Sequence, residues 1–470
     1  MHKQTKVVAT IGPATETEEM LEQLILAGMN VARFNTKHSE PAWHNERIKR
    51  VKKVAKKLNT YVGVLLDLQG PEIRINLPDE KPFDVKAGDS VIFTSDKEKQ
   101  GKNIVWVPQD VVDSLSTENL VLLDDGAAEF IIVDKDAKSL VAKTITDCTI
   151  KHRKTMNTPG VVLDMPSLTE RDYAYLDQVK PELVDFVGLS FVRTDNDVEI
   201  LRAELEKRKI KAQVVAKIEN EAALEHLDEL IAASDVVMVA RGDLGVEVPY
   251  EELIHWQRVI IDKCRLAGKP VITATQMLKS MMVNPRPTRS EVSDVAHAIY
   301  DGTDAVMLSD ETTIGKYPVK AVQVQSKIAE YNDPKASTQF VDLEQMITTV
   351  TGAITHAAYQ LSQNSTIKAT KIVCLTESGS TVRLLARFRP TLPIVAIASS
   401  TEIAQKLSVV YGTTASVTDI PKDTLLDTPK LTEKLKSMKV VETGETIILV
   451  HGSLWKQPGL TNTMAVLDIK

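Results

Sequence analysis

The chain has 470 residues, too many for one ordinary domain, so about two to four units are expected. Hydrophobic residues make up 43% and charged residues 26%, which fits a globular protein with a packed core rather than a disordered chain. The formal net charge of -7 argues against a broad basic face for nucleic acid, and no run of roughly 18 apolar residues offers a membrane span.

The N-terminus passes from a short polar stretch into Val7-Val8-Ala9-Thr10 with no apolar leader, so a cytoplasmic protein is expected. Short β-branched runs then recur at 6–10, 31–35, 62–68, 186–191, 214–219, 236–241, 270–275 and 305–310. Between most of them lie amphipathic stretches, such as 17–27, 198–208 and 251–267. Near-continuous apolar strands alternating with helices predict a parallel sheet covered on both faces. Eight such units predict a (β/α)8 TIM barrel, an α/β fold.

A long interval between the third and fourth strands breaks this rhythm. It holds short strands at 90–94, 103–107 and 130–133, with turns at Asp125-Gly126 and 134–136. This predicts a small all-β lid domain inserted at 70–168, entered at Gly70-Pro71 and left near Met165-Pro166. The barrel would then comprise 1–69 and 169–338. A helix at 321–331 and a polar linker at 332–338 lead to a long helical pattern at 343–361. Strands at 371–376, 393–398 and 447–450 then alternate with helices from 381 and at 403–407, predicting an open α/β domain at 339–470. Cys148, Cys264 and Cys374 are widely spaced, which argues against a disulfide framework or a zinc site.

Active sites of such barrels gather where strands end. Those ends hold Arg33 and Asn35, Asp67, Ser190, Lys217 and Glu219, Ala240-Arg241-Gly242-Asp243, Thr275 and Ser309. Side chains alternate along a strand, so Lys217 and Glu219 point the same way and meet Asp243 from the next strand. Taken singly, a charged strand-end residue is more often a solvated group or a structural ion pair. Together, two close carboxylates suit a hard cation, Mg²⁺ or Mn²⁺, and a lysine beside them can neutralise a phosphoryl group in flight. The Arg241–Gly245 segment opens a helix and offers backbone N–H groups to a carboxylate or phosphate. No P-loop, dinucleotide fingerprint or H-E-x-x-H occurs.

The stretches Ala9-Thr10-Ile11-Gly12-Pro13-Ala14, Gly28-Met29-Asn30-Val31-Ala32-Arg33, Gly70-Pro71-Glu72-Ile73-Arg74 and Ala216-Lys217-Ile218-Glu219-Asn220 resemble the pyruvate kinase family. So do Met238 to Gly245, Ala274 to Leu278, and Asn284-Pro285-Arg286-Pro287-Thr288-Arg289-Ser290-Glu291 with Val292 to Val295. The resemblance implies transfer of a phosphoryl group from phosphoenolpyruvate to ADP, giving ATP and pyruvate. Glu219 and Asp243 would hold Mg²⁺ or Mn²⁺, Lys217 and Arg33 the phosphoryl group, and Ala240, Arg241, Gly242 and Asp243 the carboxylate. Ser190 would lie against the substrate, and Thr275 near protonation of the enolate. Asn35, His38, Arg74 and Arg171 would face the nucleotide. A homotetramer is the family's usual assembly.

The pattern departs from the family at several places. The resemblance implies a K⁺ site at Asn35 and Asp67, but Lys37 replaces its serine and Leu68 stands where the family has threonine. Either the Lys37 ammonium takes the place of K⁺ or it points to solvent; Glu72 accompanies K⁺ dependence in the family, so that dependence stays open. Arg171 replaces a lysine, and Asp310 a glycine. In the last domain Thr376, Ser378, Gly379, Ser380 and Thr381 lie between a strand and a helix. They read either as a helix cap or, by the resemblance, as the phosphate seat of a sugar-phosphate effector. Two rivals share these features: a Mg²⁺-dependent lyase or aldolase on the same barrel, and a catalytically weak metabolite sensor.

Overall fold

The computed structural model describes residues 3–336, 345, 347–425, 427–452 and 461–470. Eight parallel strands close into a barrel in sequential order: β1 (Lys6–Thr10), β2 (Val31–Asn35), β3 (Gly63–Asp67), β4 (Phe186–Leu189), β5 (Gln213–Ile218), β6 (Val236–Ala240), β7 (Val271–Ala274) and β8 (Ala305–Leu308). Alternation sorts their side chains into two layers. In β5, Val214, Ala216 and Ile218 pack outward among the helices, whereas Val215 joins the barrel interior. Lys217 therefore points inward one layer above Val215, and Glu219 follows it. Each fully buried Val, Leu or Ile contributes about 1.5–3 kcal/mol, so this register is firmly fixed. The same logic turns Arg33 and Asn35 of β2 inward above Val31, and Asp67 of β3 above Leu65.

Local sequence sets the helix ends. Thr17 accepts the amide of Met20 (3.2 Å) at the start of Glu18–Ala27, which Gly28 ends in a left-handed conformation. Thr288 and Glu291 form a capping box at the head of Arg289–Asp301, and Glu291 also receives the Ser280 amide (2.6 Å).

Between β3 and β4 stands a six-stranded sheet ordered Met156–Asn157, Leu120–Leu123, Ala128–Lys135, Ser139–Thr144, Ser90–Thr94 and Ile104–Trp106, with a separate hairpin of Phe83–Val85 and Cys148–Ile150. The turn expected at 134–136 begins later, because Asp134 and Lys135 still pair with Val141 and Leu140 past a bulge. The lid has its own apolar core around Phe93 and Phe130.

The third sheet runs β11 (Thr413–Val417), β10 (Ile394–Ala398), β9 (Lys371–Thr376), β12 (Thr446–Gly452), β13 (Thr461–Asp468), with β13 antiparallel to β12. The helical pattern expected from 343 is a helix over Val350–Ser362; residues 343, 344 and 346, and the end of the expected linker at 337–338, lie outside the described residues. Leu407, Val409, Val410 and Tyr411 join the barrel's inner core to the core of this domain. The bottom of the barrel is thus closed by the C-terminal sheet, and its top is left to the site. Among the described residues no helix is long and apolar enough to cross a membrane.

Candidate active site

Five inward side chains meet at the C-terminal rim. The Lys217 ammonium lies 2.8 Å from Glu219 Oε1, 2.7 Å from Ser190 Oγ and 3.5 Å from Asp67 Oδ1. Asp67 Oδ2 receives Arg33 Nε at 2.6 Å, and Arg33 also donates to Thr10 Oγ1 (2.9 Å). Burial works against the charge on Asp67, yet Lys217 and Arg33 hold its carboxyl below the usual range. Burial also works against the Lys217 ammonium, but Asp67 and Glu219 keep it protonated well above its ordinary range. Gly188 on β4 faces Asp67 in register, and a Cβ there would sit 2.6 Å from Asp67 Oδ1. Only glycine leaves that carboxylate its place.

The two candidate metal ligands behave differently from Asp67. Burial raises Glu219 to about 7, with Lys217 opposing and Asp243 adding, and it raises Asp243 as well. Glu219 Oε2 takes the Phe191 amide at 2.7 Å, which aims the carboxylate along the rim. Among the described residues no group of three or more His, Cys, Asp or Glu side chains could hold a metal ion. A desolvated pair of carboxylates is nevertheless the donor set that suits Mg²⁺ or Mn²⁺, which leave their other positions to water and substrate oxygens.

Helix Arg241–Glu247 starts directly after β6. The Arg241 side chain turns away from the site and grips Asp294 with both nitrogens (2.6 and 2.7 Å) and the Thr275 carbonyl (2.8 Å). That fork pins β6 to the end of β7. Thr275 and Gln276 both hold positive φ, 71° and 56°. This is costly for a β-branched residue and is the kind of strain that gathers at functional sites. Thr275 Oγ1 accepts the Gly242 amide (2.8 Å), so one of the amides expected to face a ligand already has a partner.

The nucleotide-side candidates are arranged around the loop after β2. Asn35 Oδ1 accepts the backbone amide of Lys37 (3.1 Å). The Lys37 ammonium is neither between Asn35 and Asp67 nor directed to solvent; it binds Glu72 Oε1 at 2.6 Å, beside Arg74 on Glu72 Oε2 at 2.9 Å. Both expectations for Lys37 are corrected by Glu72, whose half-buried carboxylate offers a stronger partner than a neutral amide. Arg171 reaches the carbonyls of Thr36 (2.9 Å) and Ser39 (2.6 Å), bracing this loop. His38 is exposed at its tip.

Sequence reading passed over three carboxylates that hold these parts. Asp172 accepts the amides of Gln69 (2.9 Å) and Gly70 (3.2 Å), fixing the hinge into the lid. Glu311 accepts those of Leu278 (3.0 Å) and Ser309 (2.8 Å). Glu247, raised to about 7 by burial, takes Asn157 of the lid at 2.9 Å. The usable signal was position: each stands within a few residues of a strand end or an expected hinge.

At the far end of the molecule, Thr376 Oγ1 accepts the Gly379 amide (2.9 Å), and Thr381 Oγ1 is bonded to Thr461 Oγ1 (2.5 Å). Gly379 has φ of 80°, Ser378 is exposed and Ser380 half-buried.

A buried lysine between carboxylates, at the rim of a closed barrel that carries an inserted lid, is an arrangement that suits phosphoryl transfer on the (β/α)8 scaffold. The sequence model of the pyruvate kinase barrel domain matches residues 2–322, and that of the pyruvate kinase alpha/beta domain matches 352–467. The chain is 40% identical over 473 residues to a pyruvate kinase of Bacillus licheniformis and 38% identical over 483 residues to one of Geobacillus stearothermophilus. Each alignment covers 99% of this chain and 80% of the relative. The crystal structure of a pyruvate kinase from Cryptosporidium parvum superposes with a TM-score of 0.91 at 31% identity, covering 100% of this chain and 96% of that one. The chain belongs to the pyruvate kinase family.

Proposed function

We propose that Lys217 carries the phosphoryl group across the rim while Arg33 holds its oxygens, in the reaction of this family: transfer from phosphoenolpyruvate to ADP, giving pyruvate and ATP. The observation that supports these roles is the Lys217 ammonium lodged between Glu219 and Asp67 under the lid. Glu219 and Asp243 would hold the divalent cation, which would supply positive charge to the substrate's oxygens. The lysine stays protonated throughout, because two carboxylates face it. It therefore acts as a fixed positive charge rather than as an acid or base. Ser190 holds its ammonium in line. The Ala240–Asp243 turn seats the carboxylate, and the strained Thr275 hydroxyl stands beside the carbon that takes up a proton. Closing the lid keeps water out, so that transfer to ADP outruns hydrolysis. Asn35, His38, Arg74 and Arg171 line the nucleotide side.

For the monovalent cation the Lys37–Glu72 pair supports a specific reading. Held on Glu72, the ammonium supplies a resident positive charge whose field reaches Asp243, and turnover needs no K⁺. The 376–381 turn, with Ser378 open to solvent, is the seat of a sugar-phosphate effector. The assembly is a homotetramer in the cytoplasm.

The test is pyruvate formation from phosphoenolpyruvate and ADP with Mg²⁺. Lys217→Met is expected to lower kcat by about 10²–10³-fold, as loss of one preorganised charge does. A variant that keeps wild-type kcat would overturn the assignment.

A further inference from the structure

On the opposite face of the barrel, the C-terminal domain closes over a small cavity lined by Arg265, Lys269, Arg383, Arg387, Arg389 and Asp304. Five cations share it with one carboxylate. That carboxylate is already committed: Asp304 Oδ2 receives Arg389 (2.8 Å) and the Val271 amide (3.1 Å), and Oδ1 the Tyr411 amide (3.0 Å). Two of the other cations lean on neutral carbonyls: Lys269 donates to Ser234 O (2.6 Å) and Arg383 to Ser378 O (3.3 Å).

Arg265 is the least satisfied of them. It is 2% exposed, its Nε makes one long bond to Arg387 O (3.4 Å), and Asp262 stands 3.8 Å from Nη1. Its Nη2 is buried with no hydrogen-bond partner. A buried guanidinium nitrogen left without a protein partner is costly. Burial and the neighbouring Arg389 pull Arg265 down to about 10, and burial does the same to Arg387. The cluster is therefore under electrostatic pressure in the bare protein, and a multivalent anion would relieve it.

We propose that this cavity is a binding site for a phosphate-type oxyanion, held by Arg265 from the barrel and Lys269 and Arg383 around it. The shared chemistry is that of inorganic phosphate or of a small phosphomonoester. The enclosed space is about 10 Å³, room for one water-sized group, so the anion inserts an oxygen among the arginines and the rest of any metabolite projects outward. Nothing in the proposed phosphoryl transfer uses this cavity, which lies at the base of β7 and β8 rather than at their C-terminal ends. Its ligand would bridge the barrel and the C-terminal domain. Through Arg383 on Ser378 O, it would also bear on the 376–381 turn.

Thermal unfolding of the full chain tests this, in inorganic phosphate and in glycerol 3-phosphate, each against chloride at equal ionic strength. Wild-type Tm is expected to rise with the logarithm of anion concentration. Part of that rise should be lost in Arg265→Met and in Arg383→Met, and kept in Lys217→Met, which reports phosphate held at the catalytic rim. Arg265 lies on the barrel side, so its variant separates this cavity from the 376–381 turn. Without the anion, Arg265→Met should unfold no earlier than wild type, because it removes one of several like charges. A loss seen only in phosphate assigns the site to the free ion, and a loss in both anions to phosphomonoesters as well. Full wild-type shifts in both arginine variants would overturn the proposal. If Arg265→Met fails to fold, the half-buried Arg383→Met decides alone.

Discussion

Replacing Lys37 tests the most unusual feature of the site. Its ammonium lies 2.6 Å from Glu72, with side-chain exposures of 29% and 10%, so the pair is partly shielded from water. Glu72 pushes the Asp243 carboxyl up and Lys37 pulls it down, so the pair acts electrically on a proposed metal ligand. Removing the lysine leaves Glu72 with Arg74 and adds one net negative charge within electrostatic reach of Asp243. A charge-assisted hydrogen bond in such a place contributes about 1.5–3 kcal/mol. If that support is felt in the transition state, Lys37→Ser should lower kcat/KM about ten- to a hundred-fold. The assay follows pyruvate release with Mg²⁺ in buffers of a large organic cation, with and without K⁺. Wild-type turnover should be indifferent to K⁺, whereas K⁺ should restore part of the activity of Lys37→Ser, whose hydroxyl can serve as a ligand. Wild-type activity that climbs many-fold on adding K⁺ would refute the resident-charge reading.

Three further predictions concern the frame around the site. Gly188→Ala places a Cβ 2.6 Å from Asp67 Oδ1; overpacking of this kind costs about 1–3 kcal/mol. It should lower Tm and raise KM for phosphoenolpyruvate, and unchanged kinetics would deny Asp67 its part in placing Arg33. Arg241→Lys keeps the charge but loses the fork on Asp294 and Thr275, so kcat should fall while the far-ultraviolet CD spectrum is preserved. His44 is 3% exposed, wedged among Phe34, Trp43 and Tyr175, and burial pulls it from 6.5 to about 4. The unfolded chain therefore takes up a proton first as pH falls. The stability tied to the neutral ring is whole above pH 6.5 and is lost progressively towards pH 4, by up to about 3 kcal/mol. His44→Leu should flatten the dependence of Tm on pH across that window, and an unchanged slope would assign it to other groups.

The barrel was legible because burial on both faces leaves near-continuous apolar strands, and each predicted run contains an observed strand to within a residue or two. β11 and β13 were missed for the opposite reason. Thr413–Val417 and Thr461–Asp468 are edge strands rich in threonine, with half-buried faces, and their pattern fades into that of loops. The inward direction of Lys217 and Glu219 followed from period two alone. The fate of Lys37 did not, because it depends on Glu72, which arrives from the hinge of an inserted domain, and no local pattern sets that distance. The same holds for Arg241. A strand-end arginine reads as a ligand for an anionic substrate, yet its true partner, Asp294, comes from the helix after the next strand. Strand periodicity thus says which side chains enter the barrel mouth. Which of them are left for a substrate is decided by carboxylates that lie outside the strands, Asp294 and Glu72, while Asp172 and Glu311 fix the backbone around them. Lys217 and Arg33 are the exceptions that make the rim reactive, since their partners Asp67 and Glu219 stand at the strand ends and hold both cations at the mouth.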